Sequence, residues 1–157
     1  MTASGKRAGS ALSQRNERAE IELHWIDAEN SHLLQNVAAG VFDEAIDPAR
    51  LAAYLANPAN LLCIAMSGGQ AVGMVMCVIH LHPDKPTELY LDEIGTGDDW
   101  RRQGIARALM LKVFERADDE DIEEIWLGTE PDNTPAIGLY ESFGVKPEKA
   151  LIYYLDW

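Results

Sequence analysis

Apolar residues follow the period of β-strands along much of the chain. Ile21, Leu23 and Trp25 alternate with polar neighbours, which predicts a short strand. Two apolar runs flank a Ser-Gly-Gly-Gln turn at residues 67–70, and this arrangement predicts a β-hairpin. The predicted strands cover residues 21–25, 61–66, 71–80, 89–96 and 125–129, and a loose alternation adds a closing strand at 149–156.

Four helices are predicted from residue spacing and capping. Asp47 followed by Pro48 is typical of a helix start, because the acid accepts a free backbone N–H and proline has none to satisfy. Ile105, Leu109 and Val113 recur at helical spacing. The predicted helices span residues 27–39, 47–57, 105–117 and 132–142.

The predicted elements follow the order β, α, α, β, β, β, α, β, α, β. The hairpin is antiparallel, whereas the strand–helix–strand unit over residues 89–129 should form a right-handed parallel crossover. The sequence therefore predicts an α/β fold, with a mixed sheet and helices on both faces. One domain is expected at residues 20–157, and small polar residues predict a disordered tail at residues 1–19.

Acidic residues dominate the composition. The chain has 26 Asp and Glu against 13 Lys and Arg, a formal net charge of −13. The excess lies after residue 19, because residues 1–19 hold four basic residues and one acid. Such a body repels phosphate backbones and anionic lipid, so neither nucleic acid nor a membrane is an expected partner. Cationic ligands are attracted instead.

Other features of the sequence predict a cytoplasmic protein without a metal. No apolar run approaches the ~20 residues of a membrane helix, and the first residues lack the apolar core of a signal peptide. Cys63 and Cys77 lie in apolar runs, which predicts buried thiols, although one disulfide is compatible with the sequence. His80 and His82 have no third metal ligand beside them, so no metal site is expected.

The start of the helix at Ile105 is the first candidate for chemistry. Arg101 and Arg102 precede Gly104 where a strand leads into this helix. The first turn of a helix has unpaired N–H groups and a partial positive charge, and a glycine lets an anion approach the backbone. These features together suit a pyrophosphate.

Two motifs carry a resemblance to a known family. Arg101-x-x-Gly104-x-Ala106 resembles the acyl-CoA-binding signature of the GCN5-related N-acetyltransferases. Asn133-x-x-Ala136-x-x-x-Tyr140-x-x-x-Gly144 is similar to the helix that follows the fifth strand in that family. The resemblance covers roughly residues 20–157. It implies a mixed, mostly antiparallel sheet of six to seven strands with four helices, splayed at the acyl-CoA site.

The resemblance also implies roles for individual residues. Acetyl-CoA would lie in the splayed sheet, and the Thr96 N–H would polarise the acetyl carbonyl. Tyr140 would protonate the departing thiolate. The implied cofactor-binding residues are Ile94, Gly95, Thr96, Arg101, Arg102, Gln103, Gly104, Ile105, Ala106, Asn133, Ala136 and Tyr140.

Glu88, Asp92 and Glu93, on the strand at residues 88–96, are the candidates for the general base that takes a proton from the acceptor amine. Strand alternation places Asp92 and Glu93 on opposite faces, unless a bulge intervenes. Residues 88–94 ahead of residues 100–106 look like the aminoglycoside 3-N-acetyltransferases, which carry an acid at the position of Glu93. Glu93 is therefore the expected base. The expected acceptor-binding residues are Asp43, Glu44, Asp92 and Glu93.

The expected function is acetyl transfer from acetyl-CoA to a primary amine of a cationic small molecule, most simply an aminoglycoside, as in antibiotic resistance. The acidic body also suits a polyamine or a basic peptide as the acceptor. The alternative enzyme acetylates the N-terminus or a lysine of a protein. A non-catalytic acyl-CoA-binding module is the alternative from another class, and the presence of Tyr140 with an acid on the strand favours catalysis. A homodimer is compatible with the sequence and not required by it.

Overall fold

The computed structural model describes residues 20–157, which form a five-stranded sheet with helices on both faces. The strands lie in chain order, and each neighbouring pair is antiparallel except β4 and β5, which are parallel. The strands are β1 (Glu22–Trp25), β2 (Asn60–Ser67), β3 (Gln70–His80), β4 (Glu88–Thr96) and β5 (Glu124–Trp126). The α-helices are α1 (Pro48–Ala56), α2 (Ile105–Asp119) and α3 (Thr134–Glu141), and 3-10 turns occur at Ser31–Gln35 and Asp98–Trp100.

The sheet separates two hydrophobic cores. One face packs against α2 through buried residues that include Ile105, Leu109 and Val113. The other face packs against α1 and the segment before it through residues that include Ile64 and Met74. We call these the α2 face and the α1 face. The predicted hairpin, the parallel crossover and the helical stripe of α2 are thereby confirmed.

The helix predicted over residues 27–39 is wrong. Only the 3-10 turn Ser31–Gln35 forms there. Next to it, the Ala71 N–H donates to the Asn36 carbonyl and the Ala38 N–H donates to the Ala71 carbonyl, each at 2.8 Å. These backbone groups pair with the start of β3, so they cannot continue a helix.

The closing strand predicted at residues 149–156 is also wrong. Residues 145–157 have no regular secondary structure, and apolar side chains such as Leu151 and Tyr154 are exposed. β5 ends at Trp126 after three residues, so it presents little strand edge for a further partner. The described part of the chain therefore has five strands and three α-helices, fewer than the six to seven strands and four helices expected.

Three further expectations concern the rest of the molecule. Cys63 and Cys77 are free thiols buried in the α2-face core, and burial raises the pKa of each to about 12. Within residues 20–157, no helix is long and apolar enough to cross a membrane. The tail predicted at residues 1–19 lies outside the described residues.

Candidate active site

The sheet opens between β4 and β5. The two strands pair only from Glu88 with Glu124 to Tyr90 with Trp126. β4 then continues through Thr96, whereas β5 has already ended. Residues 91–96 are therefore paired with β3 on one side only, and the opposite backbone edge faces the gap where β5 would continue. An extended ligand can add to such an edge as a strand does.

The N-terminus of α2 is exposed and follows the strand that borders this gap. Arg101, Arg102, Gln103 and Gly104 are all exposed, and Arg102 and Gly104 have φ values of 61° and 82°. The first N–H of the helix with a backbone partner is that of Ala108, which donates to the Gly104 carbonyl at 3.0 Å. The preceding N–H groups are therefore available to a bound anion.

Two arginine side chains at the start of α2 make contacts with other parts of the chain. Arg101 forms an exposed ion pair with Asp98 at 2.9 Å. Arg107, in the first turn of α2, donates to the Ser142 hydroxyl at 2.8 Å and lies 4.4 Å from the Phe143 ring centroid. Arg107 thus connects the start of α2 to the end of α3, where Tyr140 lies.

A β-bulge decides where the acids of β4 point. Met76 pairs with Glu93 and Cys77 pairs with Leu91, so Asp92 is an extra residue in β4. The bulge shifts the alternation by one position. Leu91 and Ile94 pack on the α2 face, whereas Glu93 lines a cavity on the α1 face. The sequence analysis named a bulge as the exception to strand alternation at Asp92 and Glu93, and this bulge is present.

The cavity on the α1 face is small and acidic at its rim. It has a volume of about 330 Å³. Asp47 caps α1 by accepting the Arg50 N–H at 2.8 Å, and among residues 20–157 Arg50 is the one basic residue of the lining. The lining residues are Phe42, Asp43, Glu44, Ala45, Ile46, Asp47, Arg50, Leu51, Tyr54, Leu62, Met76 and Glu93.

Glu93 has the environment of a proton acceptor. It is half-buried, and within residues 20–157 its carboxylate has no hydrogen bond or ion pair. Burial raises its pKa, and the nearby carboxylates of Asp43 and Asp92 raise it further. A carboxylate whose pKa is raised toward the working pH is a stronger base than an ordinary surface acid.

The helix α3 holds the second motif. The Asn133 carboxamide caps α3, because its oxygen accepts the Ala136 N–H at 3.3 Å and its nitrogen donates to the Thr129 hydroxyl at 3.2 Å. Tyr140 is half-buried against the α2-face core, and burial raises its pKa. The Tyr140 hydroxyl has no hydrogen-bond partner in the described part of the chain, so it is available to a ligand.

The structure divides the predicted site residues between three places. Asp43, Glu44 and Glu93 line the cavity on the α1 face, whereas Asp92, the bulge residue before Glu93, is not part of its lining. Residues 101–106 form the loop and first turn of α2. Tyr140 lies on the α2 face, together with Ile94. β4 borders the gap after Tyr90 and carries Glu93 on the α1 face and Ile94 on the α2 face, where Tyr140 also lies.

The sequence analysis missed several cavity residues. Phe42, Tyr54 and Met76 come from a loop, a helix and a strand that are distant in sequence, so no local pattern predicts their meeting. The Tyr54 hydroxyl donates to the Leu61 carbonyl at 2.8 Å. Its pKa is raised by burial first, and then by charges that include those of Asp92 and Glu93.

A comparison with protein families identifies the domain. The model of the acetyltransferase (GNAT) family matches residues 22–145, which is most of the chain. The chain belongs to this family. The gap in the GNAT sheet and the free N-terminus of α2 are thus parts of an acetyltransferase domain, as the two sequence motifs predicted.

Two curated relatives are proteins larger than this chain. N-alpha-acetyltransferase 30 of Xenopus laevis is 31% identical over 104 residues, which is 66% of this chain and 38% of that protein. The protein of the same name in Homo sapiens is 31% identical over 104 residues, 66% of this chain and 29% of that protein. The chain therefore spans about a third of the length of these relatives.

Solved structures confirm the GNAT fold. The aminoglycoside acetyltransferase HMB0005, from an uncultured soil metagenomic sample, superposes with a TM-score of 0.74 and 20% identity, over 88% of this chain and 99% of that one. AAC(6')-Iy, in complex with a bisubstrate analogue of CoA and acetylneamine, gives a TM-score of 0.69 and 20% identity, over 88% of this chain and 99% of that one. At this identity the likeness shows the fold alone.

Proposed function

We propose that this GNAT domain is an acetyl-CoA-dependent N-acetyltransferase whose acceptor is a primary amine of a cationic small molecule. The observation that carries the proposal is the gap beside β4. β4 borders this gap, carries Glu93 in the lining of an acidic cavity, and leads into the exposed N-terminus of α2, which suits a pyrophosphate. The proposal therefore places both substrates of an acetyl transfer along β4.

The acetyl donor fits the open edge of β4. The N–H groups at the start of α2, with Arg101 and Arg102 beside them, suit the two phosphates of CoA. The pantetheine arm would add to the edge at residues 94–96 and continue past Asn133 and Ala136. Acetyl-CoA supplies the activated acetyl group, and the relative AAC(6')-Iy has been solved with CoA.

Glu93, Thr96 and Tyr140 then have distinct roles in the transfer. Glu93 accepts a proton from the acceptor ammonium, which frees the nitrogen lone pair to form the C–N bond. The Thr96 N–H donates to the acetyl oxygen, where negative charge accumulates. Tyr140 gives a proton to the CoA sulfur as the C–S bond breaks. The nitrogen loses its second proton to Tyr140 through water, and Glu93 releases the first to solvent.

The charge of the cavity favours a cationic acceptor. Asp43, Glu44 and Glu93 line it, and Arg50 is its one basic residue in the described part of the chain. An aminoglycoside is a polycation, so it suits the negative charge of the cavity. Aminoglycoside acetyltransferases among the structural neighbours also support this acceptor. AAC(6')-Iy is a 6'-type enzyme by its name, so attack by a 3-amino group stays a prediction. The second candidate is the N-terminal amine of a protein, which the curated relatives favour.

An acceptor panel tests the proposed function. Thiol release from acetyl-CoA is measured with aminoglycosides, polyamines and N-terminal peptides as acceptors, and the product is identified by mass spectrometry. We expect turnover with the polycationic acceptors to exceed turnover with neutral peptides. No thiol release with any amine would contradict an enzymatic function, and turnover with peptides alone would favour the second candidate.

Binding of acetyl-CoA should depend on Gly104. With ligand at about 100 times its dissociation constant, binding stabilises the folded state by ~2.7 kcal/mol. A valine at residue 104 adds a β-branched side chain at a φ of 82°, next to the N–H groups that would hold the phosphates. We expect Gly104→Val to lose most of the stabilisation in thermal denaturation.

The matched control for this variant is Gly69→Val. Gly69 has a φ of 78° and open space where a Cβ atom would lie, as Gly104 does, but it lies in the β2–β3 turn. Both variants should lose similar stability without ligand, because both force a valine into the left-handed region. Only Gly104→Val should lose the response to acetyl-CoA, and an equal response in the two variants would argue against the phosphate assignment.

Acceptor binding should weaken as salt increases. Attraction between exposed charges is screened over ~8–10 Å at physiological ionic strength. We therefore expect the KM of a polycationic acceptor to rise several-fold between low and physiological salt. The KM of acetyl-CoA should change less, because backbone N–H groups hold much of its charge. An acceptor KM that does not respond to salt would contradict a cationic substrate.

A further inference from the structure

Three aromatic side chains form a cluster outside the cavity. The rings of Tyr90 and Trp126 lie 4.3 Å apart between centroids, and His80 lies 5.9 Å from each of them, stacked on Tyr90. We call His80, Tyr90 and Trp126 the aromatic shelf. It sits where β4 and β5 make their last pair before the gap.

The aromatic shelf shares a face of the sheet with Glu93. Leu89 and Leu91 are buried in the α2-face core, so Tyr90 between them points to the α1 face. Trp126 contacts Tyr90 and is 42% exposed. The shelf is therefore open to solvent on the face that carries the cavity.

Acids border the aromatic shelf. Glu124 precedes Trp126 by two residues in β5, so both side chains point to the same face, and Asp92 lies in the bulge between the shelf and Glu93. Lys85 forms an ion pair with Glu88, which pairs with His80 in β3 and with Glu124 in β5. Aromatic faces beside carboxylates attract cations through the ring quadrupole and through charge.

We propose that the aromatic shelf is a second subsite of the acceptor, which binds a second cationic group while the reacting amine lies at Glu93. Two to three strand residues separate Tyr90 from Glu93, a span of about 7–10 Å. The preferred acceptor is therefore a di- or polyamine whose ammonium groups are about this far apart. The assignment of the reacting amine rests on the proposed function, whereas binding at the shelf is tested without catalysis.

Isothermal titration calorimetry tests the subsite directly. The probes are hexane-1,6-diamine, which can span from Glu93 to the shelf, propane-1,3-diamine, which is too short, and hexylamine, which has one charge. All are titrated into the CoA-saturated protein. We expect the longer diamine to bind more tightly than the other two. Equal affinities for the three probes would overturn the proposal.

Variants of tryptophan locate the binding energy. Trp126→Ala should weaken binding of hexane-1,6-diamine by about 2–30-fold, the range of a cation–π contact. Trp157→Ala is the control, since Trp157 is fully exposed in the segment after residue 145. It should bind the diamine as the unmodified protein does. Equal affinity in Trp126→Ala and Trp157→Ala would overturn the proposal.

A second variant and a second readout guard the result. Trp126→Leu keeps an apolar side chain, so it replaces Trp126→Ala if thermal denaturation shows that the alanine variant is unfolded. Trp126→Leu should show the same loss of affinity for hexane-1,6-diamine. Glu124→Gln should reduce the preference for diamine over hexylamine at low salt. Failure of the proposed function appears separately, as diamine binding that depends on Trp126 without thiol release in the acceptor panel.

Discussion

Tyr140→Phe should lower kcat by roughly 100-fold or more, in the range of a lost general acid. Burial raises the pKa of Tyr140 from its ordinary value of 10.0, so its hydroxyl is protonated at neutral pH. The phenylalanine ring keeps the packing against the α2-face core, and the hydroxyl has no partner to lose within residues 20–157. The dissociation constant of acetyl-CoA should therefore change little.

Steady-state kinetics, together with a calorimetric dissociation constant, checks this prediction. Tyr154→Phe is the control, because Tyr154 is exposed after residue 145 and should leave kcat unchanged. The melting temperature of Tyr140→Phe should stay close to that of the unmodified protein. A kcat close to the unmodified value in Tyr140→Phe would mean that Tyr140 only packs against the core.

Sequence reasoning succeeded where a local pattern carries the information. The helical stripe of Ile105, Leu109 and Val113 is buried as predicted, because a long amphipathic helix on a sheet needs one apolar face. The position of the loop at residues 101–104 follows from this helix and the strand before it. The loop and the helix start that form the candidate phosphate site were therefore both predictable.

The bulge at Asp92 left a signal in the sequence. The apolar positions Leu89, Leu91 and Ile94 change their spacing from two residues to three, and a bulge restores all of them to the α2 face. Read in this way, the spacing places Glu93 on the α1 face without a structure. Simple alternation fails at this position, which is the candidate base.

Pairing between distant segments was not predictable. Residues 27–39 contain enough apolar positions for a helix. The helix does not form because the backbone groups of Asn36 and Ala38 form hydrogen bonds with Ala71 instead. The cavity depends on this outcome, because the chain that follows supplies Asp43 and Glu44 to its rim. Burial of Glu93 beside Asp43 thus arises from tertiary contacts alone.

Glu93→Gln should also lower kcat by roughly 100-fold or more, because glutamine keeps the size of the side chain and cannot accept a proton. The pKa of Glu93 is raised from its ordinary value of 4.5 by burial, and then by Asp43 and Asp92. As pH falls through this raised pKa the carboxylate is protonated and the rate falls. The acid limb of the kcat/KM profile, which reports the free enzyme, should therefore lie above pH 4.5 and disappear in the variant.

Stability separates loss of the base from loss of the fold. A carboxyl whose pKa is raised by folding stabilises the protein fully below pH 4.5 and loses this contribution as pH rises through the folded pKa. Glutamine does not titrate, so Glu93→Gln should be at least as stable as the unmodified protein above that window, and the difference should vanish at lower pH. Denaturant titrations across pH measure this.

Glu44→Gln completes the test of Glu93. Glu44 lines the same cavity on the loop before α1, so its change removes one negative charge and leaves the candidate base in place. It should raise the KM of a polycationic acceptor, and kcat and the acid limb should be retained. Glu93→Gln should instead lower kcat and remove the acid limb, with a smaller change in the KM of the acceptor. If both variants raise only KM, Glu93 attracts the acceptor and another group takes its proton.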